Sequence, residues 1–288
     1  MDIKKIPVSV IGPGSQPVSE DGQGLSYIDM PSDMATFEEP YIPEPDAVKG
    51  LVGAREAMLW LRQALADYEP GADAQLANLT GLVDEDRELV NQILGEGEVS
   101  ISYNGSVRAR SQESVLAGVW RTLYLDENDA VCYDVLEVAD VPHTVRMPDG
   151  RDRPINAGSK DIPAELNNAL AILVELAARY PAFVEEGAPH TINLTLLPLS
   201  EDELAFIEER LGRGPIDTLS RAYGKCQVSS TLTPNVWWVR FYNSMGTLIL
   251  NTIELTDVPE AIRAAPEDLS DSAKRLDDML TPYWSDVA

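Results

Sequence analysis

The chain has 288 residues, 44% of them hydrophobic, enough for a normal core in one large domain or two small ones. Its 48 acidic and 22 basic residues give a formal charge of −26, which argues against nucleic acid or an anionic membrane surface as partner. A charged partner is expected to be basic, the alternative being that the acidity serves solubility alone. Two cysteines and two histidines, without CxxC or HxxxH spacing, make neither a disulfide framework nor a structural metal site, so no metal or cofactor is expected.

Residues 1–49 are rich in proline, glycine and acid, as in "IGPGSQPVSEDGQG" and "FEEPYIPEPD", and are expected to form an extended arm. Gly12, Pro13, Gly14, Ser15 and Gln16 could be taken for a phosphate loop. No lysine follows, and Glu20 and Asp21 do, so nucleotide binding is not read there. The start lacks the apolar run of a secretory signal, and no 18-residue apolar stretch exists. Cytoplasmic residence without membrane insertion is therefore expected.

A first helix is expected over Ala54–Tyr68, with Met58, Leu61 and Leu65 on one face. A short strand follows over Gln75–Val83, then a helix capped by Asp84 and closed by glycine after Leu94. Strands come next, ending in a hairpin that turns at Asp126–Asp129, with Cys132 expected in the core. The same order then recurs: a helix over Ala164–Tyr180, a strand over Thr191–Leu199, and a helix opened by a Ser200–Glu203 capping box. That helix closes at Leu211-Gly212, and a second hairpin turns at Asn243–Gly246. One more helix fits the tail, with Leu269, Ala273, Leu276 and Leu280 on one face.

A shift of 117 positions places Trp237 on Trp120, Glu254 on Glu137, Asp257-Val258-Pro259 on Asp140-Val141-Pro142 and Arg263 on Arg146. Such an offset is expected from a tandem duplication. The expected fold is α+β: two α-β-α-β(2–4) units, 50–150 and 162–265, with mostly antiparallel sheets, packed as one pseudo-symmetric body. The arm 1–49 and a helical tail 268–288 lie outside the units.

Neighbours on a strand face opposite ways, which divides the pair Trp237-Trp238. Trp237, Val239 and Phe241 match Trp120, Thr122 and Tyr124, an aromatic face in both units and so the expected core. Trp238, Arg240 and Tyr242 stand where the first unit has Arg121, Leu123 and Leu125. Trp, Tyr and Arg are enriched at binding hot spots, so that face is the candidate docking surface, the alternative being that it packs under a helix or against the other unit. Cys226, beside Lys225, is weighed as a nucleophile, but neither His143 nor His190 is tied to it by sequence, and packing is the alternative. Sequential acidic pairs such as Glu185-Glu186 read as solvated surface.

The stretches "IGPGSQP", "MPSDMATFEEPYIPEP", "GEGEVSI", "ESVLAGVWR" and "CQVSSTLTPNVWWVRFYNSMGTLILNTIELTDVP" resemble the HupH/HyaF/HoxQ family of accessory proteins for uptake nickel–iron hydrogenases. The resemblance covers nearly the whole chain. It implies a non-catalytic cytoplasmic helper that acts on the iron–sulfur small subunit precursor before export, together with other maturation factors. It supplies no catalytic residues. The family-like motifs add Gly12, Pro13, Gly14, Ser15, Gln16, Glu113, Cys226 and Asn235 to Trp238, Arg240 and Tyr242 as candidate partner contacts. The competing expectation is a thiol-dependent enzyme, or redox-protection factor, using Cys226 in cluster assembly. A basic precursor leader would complement the acidic chain.

Overall fold

Each half of the chain must bury one apolar stripe per helix and one apolar face per strand, and a layer of helices on a sheet satisfies both. The computed structural model describes residues 48–147, 151–158, 163–221 and 224–284, all in one unit, Pro40–Ala288. Gly12 to Gln16 lie outside the described residues.

The first half runs α1 (Val52–Asp67), β1 (Gln75–Asn78), α2 (Asp84–Leu94), β2 (Val99–Asn104), β3 (Arg108–Glu113), β4 (Val119–Leu125), β5 (Val131–Val138) and one helical turn, α3 (His143–Arg146). The second runs α4 (Asn167–Glu186), β6 (His190–Asn193), α5 (Glu201–Leu211), β7 (Arg213–Ser220), β8 (Lys225–Thr231), β9 (Val236–Tyr242), β10 (Leu248–Leu255) and a 3-10 turn at Glu260–Ile262, before α6 (Pro266–Leu280). All ten strands join in one antiparallel sheet, ordered β1-β5-β4-β3-β2-β7-β8-β9-β10-β6. That order is the same from either edge inward. At its centre Ile101 of β2 faces Thr218 of β7, two residues that are themselves 117 apart.

Helices cover one side of the sheet at its two ends. Over β1, β5 and β4 lie α1, α2 and α6, burying Met58, Leu61, Ile93 and Leu276 against Leu136, Val138 and Val119. Over β6, β10 and β9 lie α4 and α5, burying Leu173, Leu176, Ile207 and Leu211 against Ile253, Leu255, Val236 and Trp238. The opposite side buries Trp120 and Trp237 among Ile101, Tyr103, Ile216 and Val228, under Val141, Val145, Val258 and Ile262. The two indoles are held alike: Trp120 Nε1 donates to the Ala139 carbonyl at 3.0 Å and Trp237 Nε1 to that of Thr256 at 3.1 Å.

Several expected details shift. The N-cap of α2 is Val83, with no side-chain cap, so Asp84 does not cap it. Instead Asp86 in its first turn reaches back, and its Oδ1 accepts the Ala54 amide of α1 at 3.0 Å. The matching Glu203 completes the Ser200 capping box and also accepts the Asn168 and Ala169 amides of α4. These amide hydrogen bonds hold the Glu203 carboxyl below the usual range.

Helix α4 passes Pro181 and runs to Glu186, because Phe183 beyond the proline still packs on the core and Gly187 (φ 67°) closes the end. The strands expected over 75–83 and 191–199 stop at Asn78 and Asn193. There each asparagine Oδ1 accepts the amide two residues on, which turns the chain. Leu196 is therefore 80% exposed rather than part of an alternating strand. Cys132 is exposed, not core: it lies in β5 before the stretch that β1 and the helices cover, between exposed Val131 and Tyr133.

Candidate functional site

Among the described residues, the helices at the two ends of the sheet leave its four middle strands, β3, β2, β7 and β8, uncovered on that side. Two rows of side chains cross it in register. One reads Asp134, Leu123, Arg110, Ser102, Asp217, Ser229, Trp238, Ile253. The other reads Leu136, Arg121, Gln112, Ser100, Leu219, Gln227, Arg240, Asn251. The 117-residue shift exchanges the rows. The result is a cleft with a polar floor, about 14 Å from β3 to β8 at the usual ~4.8 Å strand spacing, walled by α2 and α5.

At each wall the floor ends in a hollow. Beside α2 it has about 490 Å³ and is lined by Asn91, Leu94, Ser102, Arg110, Gln112 and Leu123 among others. Beside α5 only about 60 Å³ is left. One exchange explains the difference. In the second half Trp238 fills the hollow, its Nε1 donating to Asn251 Oδ1 at 2.5 Å and the Arg240 guanidinium lying 4.4 Å above its ring. In the first half the matching Arg121 turns to Asp134, with Nε–Oδ1 and Nη2–Oδ2 distances of 2.9 and 2.6 Å, and donates to Asn91. Asp134 and Asn251 are themselves 117 apart, so one donor–acceptor arrangement is built once from a charged pair and once from a neutral one.

The candidate residues fall in different places. Trp238 and Arg240 line the second hollow, but Trp238 is only 5% exposed under α4 and α5. The expectation of an outward docking tryptophan is corrected: β9 is covered on both sides over Val236–Val239, as the alternative allowed. Tyr242 is half-buried beside the same face, with Lys225 Nζ 5.5 Å from its ring centre. Asn235 takes a left-handed turn (φ 60°) before β9, where the first half has Gly118 (φ 76°). In the first half that glycine makes room for α6, since a Cβ at Gly118 would stand 2.1 Å from Leu269 Cδ2.

Glu113 and Cys226 face the opposite, buried side. Burial raises the Glu113 carboxyl to about 7, although its Oε1 accepts the Gly118 amide at 3.2 Å. Cys226 is 3% exposed, and burial, with Glu254 nearby, pushes its thiol up to about 12. A thiol held in that state is a poor nucleophile.

Sequence reasoning missed Arg110, Gln112 and Arg121. Their signal was present, since they alternate on the face opposite Ser111 and Trp120, but only the packing shows that this stretch of floor stays open. A larger hollow, about 840 Å³, borders residues 153–158 and α5, and its titratable lining is Arg153, Glu209 and Arg210. Among the described residues no cluster of three His, Cys, Asp or Glu could hold a metal ion, and no helix is long and apolar enough to cross a membrane.

Comparison with known proteins gives relatives along the whole chain. A family model described as the C-terminal conserved region of the HupH hydrogenase expression protein matches residues 51–151 and 166–283. The chain is 41% identical to the hydrogenase expression/formation protein HupQ of Azotobacter chroococcum, over 93% of its length and 95% of that protein's. It is 39% identical to HoxQ of Cupriavidus necator over 96% of each chain. It is 29% identical to the hydrogenase-1 operon protein HyaF of Escherichia coli over 94% of each. Among solved structures it is similar to the hydrogenase expression protein HupH from Thiobacillus denitrificans, at 29% identity and a TM-score of 0.39, over 40% of this chain and 96% of that one.

Proposed function

Because the chain belongs to the HupH family of hydrogenase expression/formation proteins, we propose that it is a non-catalytic accessory protein that binds the iron–sulfur small subunit precursor of a nickel–iron hydrogenase in the cytoplasm, before export. A role in hydrogenase maturation follows from the family. The finer reading rests on one observation: among the described residues, the middle of the sheet forms a cleft of docking type. Its floor mixes hydroxyl, amide, guanidinium and ion-paired carboxylate groups with leucine, and among the described residues no nucleophile there is paired to a base.

Tagged protein expressed in cells that make the hydrogenase should co-purify with the small subunit precursor. Recovery of other maturation factors without any small subunit would sink the reading. The rival reading, chemistry at Cys226, is tested by thiol labelling and by Cys226→Ser. The native chain should react with a thiol reagent at exposed Cys132 and not at Cys226. Hydrogenase maturation should survive Cys226→Ser, and its loss with an intact fold would revive the enzyme.

The proposal extends to the scaffold, taken as a tandem duplication with units near 50–150 and 162–265. Two segments match one family model, and one 117-residue shift relates the pairing of β2–β5 to that of β7–β10, with the edge strands β1 and β6 offset by 115 instead, which supports that reading.

A further inference from the structure

The cleft carries the opposite charge to the molecule around it. Arg110 is exposed, and Arg110, Arg240 and Lys225 have no carboxylate partner among the described residues. All three project from one face of the central sheet, since Arg110 lies in register with Ser102, Gln227 with Arg240, and Lys225 with Tyr242. The carboxylates there are mostly engaged: Asp217 holds Arg213 at 2.9 Å and the Ser229 hydroxyl at 2.9 Å, and Asp134 holds Arg121. Among the described residues that line the two hollows, the other carboxylates are Glu96 and Glu208, one at each rim. A chain of charge −26 keeps unpaired cations in one cleft only at a cost in lost neutralisation, which a negatively charged occupant offsets.

The open hollow narrows the chemistry further. Arg110 and Ser102 present donors on its floor, while half-buried Leu123 beside them supplies apolar surface. Gln112 is occupied, its Nε2 donating to the carbonyls of Gly97, Val99 and Glu113. The second hollow is already filled by Trp238. Room for a ligand is therefore left at the α2 end, from which the floor runs toward Arg240.

We propose that the cleft between α2 and α5 seats an extended segment of the partner in which an Asp or Glu side chain stands next to an apolar one. The carboxylate pairs with Arg110, and the apolar group lies on Leu123. This rests on the small-subunit reading and adds to it the part of the partner that is held. The acidic exterior would suit the precursor's basic leader, whereas the cleft takes a different, acidic stretch.

The test uses the full chain and the small subunit precursor. A photoreactive residue replacing Ser102 on the floor should cross-link to the precursor, and one replacing Val184, which is 65% exposed on α4, should not. Arg110→Glu should leave the melting temperature unchanged and lower capture at least tenfold, while Arg110→Lys keeps most of it. Peptides of about 15 residues tiling the precursor should bind best where an acidic residue adjoins an apolar one. Undiminished capture by Arg110→Glu, cross-links from position 184 alone, self-cross-linking from position 102, or a preference for basic peptides would each overturn the cleft while the small-subunit reading stands. Failure of the unaltered chain to capture the precursor would overturn both.

Discussion

Trp238 and Arg121 occupy one position of a repeated scaffold and solve the same problem, a polar donor beneath a helix, with different chemistry. Trp238→Ala should cost about 3–5 kcal/mol, as large aromatic truncations in cores do, and so should Trp237→Ala; urea unfolding would show the two falling together. Trp238→Arg alone buries a guanidinium opposite a neutral amide. Adding Asn251→Asp restores the pair seen at Arg121 and Asp134, so the double variant should recover about 1–3 kcal/mol over the sum of the single changes. Additive effects would mean that the two halves do not share this geometry. The opposite facing of Trp237 and Trp238 was legible in the sequence, because strand periodicity alone dictates it. That both faces are covered was not legible, since the cover on Trp238 comes from helices that end at Glu186 and Leu211, far from it in sequence.

Glu113 adds a pH dependence at the same scale. Burial raises its carboxyl from 4.5 to about 7, so the folded chain holds the proton more tightly than the unfolded one. Its contribution to stability is complete below about pH 4.5 and is lost as the pH rises to 7, a change of about 3 kcal/mol at 1.36 kcal/mol per pH unit. The melting temperature of Glu113→Gln should exceed that of the unaltered chain at pH 8 and converge with it near pH 4.5. Parallel profiles would show that this carboxyl does not titrate late.

At the level of elements, the second helix of each half ends in a conformation that only glycine adopts easily. Gly95 has φ 55° and ψ −166°, and Gly212 has φ 67° and ψ 164°. These are not the left-handed helical values expected from the Leu-Gly signal: φ is positive, but the chain leaves extended. A Cβ would stand 2.8 Å from Val115 Cγ1 at Gly95, and 2.6 Å from Leu232 Cδ1 at Gly212. Gly95→Ala should therefore cost about 2–3 kcal/mol through strain and collision together. In the α2 wall it should also weaken partner capture, whereas Gly212→Ala should destabilise comparably and spare the open hollow. Helix positions could be read from periodicity and capping signals. The clamp of Asp86 on α1 could not, because an acidic residue in a first turn looks the same whether it serves its own helix or its neighbour.

Across the whole molecule, the residues that revealed the internal match in the sequence are those that join the halves. Arg146 donates to Asp140 Oδ2 and Asp257 Oδ2, both at 2.7 Å, and Arg263 lies 3.6 and 3.9 Å from the same two carboxylates. Asp140 is buried, with a side chain only 4% exposed, and also accepts the Tyr68 hydroxyl at 3.3 Å. Two arginines and two aspartates, one of each from either half, thus close a ring on the side of the sheet away from the cleft. Removing one partner of a buried charge costs more than the pair contributes, because the other charge is left desolvated. Arg146 makes the short contacts and is itself about one-third exposed, so Arg146→Ala should cost about 2–4 kcal/mol and Arg263→Ala clearly less. Because β2–β7 pairing and this ring both tie the halves, tryptophan fluorescence and far-ultraviolet circular dichroism should report one coincident unfolding transition in the unaltered chain. In Arg146→Ala that transition should move to lower denaturant without splitting, since the continuous sheet still couples the halves. Two separated transitions in either protein would mean that each half folds on its own and the ring is ornament to the sheet rather than part of what makes it one unit.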